Sequence, residues 1–135
     1  MFYRTAILVA LFALTACNAP QSTQSLSRNA LAMQSAQAGT LDRPALVEFY
    51  TADCITCNKI RAEISTLDQR YDGRIEFIYL DIDLAEAQPY LAKYDVRGLP
   101  TFELLDRNGH LMSSMSGWPG EQAFISALDK LIGQP

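Results

Sequence analysis

Leu46-Val47-Glu48-Phe49-Tyr50-Thr51-Ala52-Asp53-Cys54-Ile55-Thr56-Cys57 is the stretch that decides how this chain folds. Its first five residues belong to a short run, Ala45 to Tyr50, that follows Pro44 and is apolar and β-prone apart from Glu48. Such a run reads as a buried central strand. Its last residues open a second pattern: from Cys54 to Arg70, Ile60, Ile64 and Leu67 recur at helical spacing, with Lys59, Arg61, Glu63 and Asp68 elsewhere. The two cysteines therefore stand where a strand ends and a helix begins. A helix start presents unpaired amides and about half an elementary positive charge, which favours the thiolate, the form of cysteine that attacks disulfides. Cys54 is the expected nucleophile. Two intervening residues bring Cys57 onto the same face one turn later, within reach of a mixed disulfide on Cys54, so Cys57 is the expected resolving thiol.

Two cysteines at this spacing have other uses, as half of a zinc site or as an inert structural disulfide. Zinc would be short of ligands: there is no second such pair, and the single histidine, His110, falls just after a turn. No metal and no bound cofactor are expected.

Beyond the cysteines, Ile75 to Ile82 reads as a second buried strand, bounded by Asp72-Gly73. Leu84 to Tyr94 reads as a helix in which Pro89 is tolerated only near the first turn or at a break. Thr101 to Asp106 and His110 to Met115 flank Arg107-Asn108-Gly109, and Asn-Gly between β-prone runs signals a hairpin. Gly120 to Ile132 carries the helical stripe Phe124, Leu128, Leu131 and Ile132. On the N-terminal side, Leu26 to Ala38 is Ala-rich, with Leu31, Met33 and Ala36 as a partial apolar stripe and Gly39 where a helix C-cap belongs, which reads as a helix, the alternative being an extension of the tether. The order helix, strand, helix, strand, helix, hairpin, helix implies an α/β domain over residues 28–135, with a mixed sheet covered by helices on both faces.

The N-terminus reads as an address. Met1 to Arg4 carries one positive charge, and Thr5 to Ala16 is an apolar run of twelve residues, the build of a secretory signal. About 20 apolar residues are needed to cross a bilayer, so this run is too short to span one. Leu14-Thr15-Ala16-Cys17 resembles the bacterial lipoprotein box, which implies a signal peptide over residues 1–16 and lipid attachment at Cys17. An ordinary cleaved signal with a coincidental cysteine, or an uncleaved anchor, are the alternatives. Residues 17–27, rich in Gln, Ser, Thr and Asn, read as a flexible tether. With Asn18 rather than Asp after the cysteine, the resemblance implies the outer membrane in an envelope that has two.

The full chain has 135 residues, a formal net charge of −4 and 49% hydrophobic residues, enough for one packed domain. Removing the first sixteen residues takes away only Arg4 and leaves −5. No basic face is available for nucleic acid, and no Lys/Arg cluster for an anionic membrane surface.

Residues Leu46 to Cys57 resemble the active-site strand and turn of thioredoxins, and Val96-Arg97-Gly98-Leu99-Pro100-Thr101-Phe102 resembles their cis-proline segment. Cys57 and Pro100 are 43 positions apart, with a strand and a helix between them. The resemblance runs from about Leu41 to Ile132 and is nearest to membrane-tethered reductases of the cell exterior. It implies a thioredoxin-like fold, a cis-proline at Pro100 facing the cysteines, and substrate backbone pairing at Leu99. It also implies that Glu48 is the buried acid that helps deprotonate Cys57; on physical grounds a carboxylate on an apolar strand is desolvated and exchanges protons near neutral pH, unless it reaches solvent at the strand end.

Three departures stand out. Asp53 replaces the usual tryptophan before the first cysteine, and its charge disfavours the Cys54 thiolate unless the side chain turns outward as a helix cap. Ile55-Thr56 replaces Gly-Pro, and Ala62 stands where a helix-kinking proline often occurs. Trp118 either supplies apolar surface at the substrate groove or packs into the core.

The expectation is a monomeric enzyme, a protein-disulfide reductase or interchange catalyst acting on exported proteins. Its membrane contact is the lipid anchor. Exported space lacks a soluble reductant, so an electron donor is implied, a membrane thiol-electron donor or another thioredoxin-like domain. An oxidant of the same fold and a redox-silent peptide-binding module are the alternatives.

Overall fold

The computed structural model describes residues 27–133. The signal peptide, Cys17 and the tether, Ser27 apart, lie outside the described residues, as do the last two positions. The elements are α1 (Arg28–Ala38), β1 (Ala45–Tyr50), α2 (Ile55–Arg70), β2 (Glu76–Asp81), α3 (Gln88–Lys93), β3 (Thr101–Leu105), β4 (Leu111–Ser116) and α4 (Glu121–Ile132). The strands form one mixed sheet in the order β2-β1-β3-β4, with β1 parallel to β2 and antiparallel to β3, and β3 antiparallel to β4.

Strand alternation divides the core. Leu46, Phe77, Phe102 and Leu104 meet Ile60, Ile64 and Leu67 of α2 and Phe124, Leu128 and Leu131 of α4 on one face. Val47, Phe49, Ile78, Leu80 and Leu105 meet Met33 and Ala36 of α1 and Tyr90 and Tyr94 around α3 on the other. The inner strands β1 and β3 are almost wholly buried, whereas the edge strand β4 is mostly exposed.

Local chemistry sets the ends of these elements. The Ser27 hydroxyl accepts from the Ala30 N–H as the α1 N-cap, and Gly39 closes the helix with a left-handed φ of 66°. Asn29 of α1 accepts the Tyr79 N–H on the open edge of β2, so α1 shields that edge. The β3–β4 turn is tightened by Asp106, whose Oδ1 accepts the N–H groups of Asn108 and His110 at 2.8 Å each. Gly109 has φ 75°, and a Cβ there would lie 1.7 Å from the Ala36 carbonyl oxygen, so only glycine allows the turn to reach α1.

Two expectations need correction. The helix anticipated over Leu84 to Tyr94 is helical only from Gln88, and Leu84 to Ala87 form tight turns with Ala87 N–H bonded to Leu84 C=O and Gln88 N–H to Ala85 C=O. Pro89 has no N–H to extend an α-ladder back to Ala85, so the helix starts around it. In α1 the stripe runs through Ala30, Met33 and Ala36, and Leu31 is exposed. α2 runs unbroken past Ala62.

Candidate active site

Both cysteines sit at the start of α2, which leaves the C-terminal end of β1 after a short turn. They are joined, with Sγ atoms 2.03 Å and Cα atoms 5.3 Å apart. Cys54 is itself the N-cap: its Sγ accepts the Cys57 N–H at 3.1 Å, and its carbonyl accepts the Asn58 N–H at 3.0 Å. A negative charge developing on that sulfur meets an amide already aimed at it. The two sulfurs differ in access. Cys54 is half-buried, while Cys57 is 2% exposed.

Behind Cys57 lies a cavity of about 280 Å³ lined by Glu48, Tyr50, Cys57, Arg61, Ile64, Ser65, Asp68 and Tyr79. Glu48 is 6% exposed, far from the solvent-reaching alternative. Burial pushes its carboxyl up to about 7, and the Arg61 charge partly offsets this. At such a value the carboxyl takes and returns a proton near neutral pH. Tyr79, beside Glu48 in the β1–β2 register, donates to Asp68 at 3.0 Å.

Pro100 immediately precedes β3, and the register pairs Phe49 with Thr101, so Pro100 and the turn carrying the cysteines share one end of the sheet. The Leu99–Pro100 peptide is cis, Pro100 is buried and Leu99 half-buried. The Pro100 carbonyl accepts the Gly117 N–H at 2.8 Å, tying in the segment that leads to Trp118. Trp118 is half-buried against Phe102 and Phe124, with ring centroids 6.3 and 5.0 Å away, so most of its ring packs into the core. Asp53 is exposed and the cap position belongs to Cys54, not to Asp53. His110 is an exposed turn residue bonded to Asp106.

Of the residues the sequence points to, Cys54, Cys57, Glu48, Pro100 and Leu99 come together at this end of the sheet. Tyr50, Arg61, Asp68 and Tyr79 join them as cavity residues that the sequence does not mark as functional. Arg61 and Asp68 follow Cys57 on α2 at helical spacing, and Tyr79 alternates with buried Ile78 and Leu80; that spacing was the available signal.

The family model described as thioredoxin matches residues 30–130. Among curated proteins, the chain is similar to the thiol:disulfide interchange protein TxlA of Synechococcus elongatus, 32% identical over 115 residues that cover 85% of this chain and 59% of that protein. It is also similar to a chloroplastic thioredoxin-like protein of Oryza sativa subsp. japonica, 28% identical over 84% of this chain and 43% of that protein. The chain thus spans about half the length of these curated relatives. Among solved structures, Fasciola hepatica thioredoxin shares the fold at a TM-score of 0.59, with 24% identity over 67% of this chain and 83% of that one.

Proposed function

The chain belongs to the thioredoxin family, and on that footing we propose that it is a thiol–disulfide oxidoreductase of the cell envelope that reduces or exchanges disulfides in exported proteins. The observation that carries this reading is the asymmetry of the pair: Cys54 is reachable and caps α2, whereas Cys57 is buried beside the cavity that holds Glu48.

In the reduced protein the Cys54 thiolate attacks one sulfur of a substrate disulfide, forming a Cys54–substrate bond and releasing the other sulfur as a thiolate. Glu48 takes the proton of Cys57. The Cys57 sulfur then attacks Cys54, the Cys54–substrate bond breaks, and the substrate leaves as its second thiolate. The substrate gains two electrons and the cysteine pair is oxidised. Leu99 is assigned to pair with the substrate backbone: its N–H and C=O have no backbone hydrogen bond among the described residues. Pro100 shapes the same edge, with Trp118 and Asp53 at its margins. A membrane thiol-electron donor restores the dithiol, and a lipid on Cys17 holds the domain at the membrane, the outer one where there are two. The thiol:disulfide interchange name of the Synechococcus relative supports the chemistry.

Cys57→Ser is expected to accumulate mixed disulfides through Cys54 with envelope proteins, and Cys54→Ser none. No trapped species and no reduction of a model protein disulfide by the unaltered chain would overturn the reading in favour of a redox-silent binder.

A further inference from the structure

Glu48 has no cation on either neighbouring strand: its partners are Tyr79 on β2 and Phe102 on β3. The positive charge that faces it comes from α2. Arg61 lines the same cavity, with its guanidinium carbon 5.9 Å from the Tyr50 ring centroid. Arg61 is itself exposed, and a relay of two hydrogen bonds at the surface links it to the cysteine turn. Arg61 Nη2 donates to Asn58 Oδ1 at 2.9 Å, and Asn58 Nδ2 donates to the Ala52 carbonyl at 2.8 Å. Asn58 directly follows Cys57, and Ala52 lies two residues before Cys54, so one side-chain amide ties both flanks of the cysteine pair together while aiming the guanidinium. The remaining polar groups around Glu48 are Cys57, Ser65 and Asp68 of α2, Tyr79 of β2 and Tyr50 of β1; the Asp68 charge opposes that of Arg61, and Tyr79 engages it.

We propose that Arg61, steadied by Asn58, is a positioning residue for the resolving step, stabilising the anionic Glu48 that accepts the Cys57 proton. The inference rests on the reading of Glu48 as that acceptor. The step balances within the chain and its substrate: the Cys57 proton moves to Glu48, a Cys57–Cys54 bond forms, and the Cys54–substrate bond breaks to give a substrate thiolate. The proton then leaves Glu48 through the cavity. Without Arg61, burial acts on Glu48 with its one favourable charge gone, so the carboxyl keeps its proton to higher pH and resolution stalls there.

The test is rapid mixing of the fully reduced chain, with Cys17→Ser so that only the pair reports, against an aromatic disulfide whose thiolate is coloured. The first phase reports attack by Cys54 and the second resolution by Cys57. Arg61→Gln is expected to move the acid limb of the second phase upward by about half a pH unit and slow it roughly threefold on that limb. Arg61→Lys retains the original limb, Asn58→Ala gives a smaller upward move, and Arg61→Gln adds nothing in a Glu48→Gln background. An unmoved limb in Arg61→Gln, with the limb lost in Glu48→Gln, overturns this inference alone. A limb that survives Glu48→Gln overturns the reading of Glu48 and this inference with it.

Discussion

Glu48 and Glu103 stand on the two inner strands of one sheet, both are buried, and burial pushes each carboxyl up to about 7. Their surroundings differ. Glu48 faces α2 and opens on a cavity shared with Cys57 and Arg61. Glu103 faces the other side, where one oxygen accepts from Ser114 at 2.8 Å while the other, like the Tyr94 hydroxyl, is buried without a hydrogen-bond partner. Burial alone thus raises a carboxyl; the thiol, cavity and offsetting cation around Glu48 are what support the proposed reading of it as the proton acceptor. Glu103 pairs with Val47 and Ser114 instead, and among the described residues no cation offsets its burial, so it is a cost to the fold.

The largest effect that separates the two is kinetic. Glu48→Gln is expected to slow resolution by Cys57 by about 100-fold at neutral pH, measured as the second phase in rapid mixing, while Glu103→Gln changes it less than about twofold. Equal losses in both variants would break the contrast.

Stability sharpens the contrast from the other side. The folded carboxyls titrate near 7, against about 4.3 in an unfolded chain. Between those values the native state holds protons that the unfolded state has lost, so stability is full below about pH 4.3 and is lost as pH rises through about 7. Glu103→Gln removes one such contribution. The variant is expected to be more stable than the parent at about pH 8, by up to about 3 kcal/mol, with the advantage gone near pH 4.5. Denaturant melts at the two pH values check this, and a variant less stable at the higher pH would contradict it.

The smallest effect concerns Asp53, an exposed charge beside the nucleophile. Asp53→Asn is expected to lower the Cys54 pKa slightly and make the pair less reducing, because a screened like charge disfavours the thiolate. The pH dependence of Cys54 alkylation reads it, and an unchanged midpoint would refute it.

Much of the frame was legible because short-range patterns and long-range packing agree. β1 begins and ends where the run from Ala45 to Tyr50 does, and Gly39 and Gly109 terminate α1 and turn the hairpin as their backbone freedom suggests. Cys54 and Cys57 are local in the same sense, since the roles proposed for them follow from three residues' spacing at a helix start. What was missed depends on company. Leu31 lies outside the α1 stripe because the sheet, not the helix, selects the buried face. Glu103 sits in Thr-Phe-Glu-Leu-Leu, a run of the same form as the one holding Glu48, yet only Glu48 stands out in the sequence, since only Glu48 precedes a cysteine pair. Arg61 reads as an ordinary exposed helix cation until the fold sets it across a cavity from Glu48.

The most direct measurement is the equilibrium of the Cys54–Cys57 pair with a thiol buffer of known potential. A reductase couple is expected to interconvert reversibly by two electrons near thioredoxin's value of about −270 mV. A value near about −120 mV, or a pair that does not equilibrate at all, would contradict it.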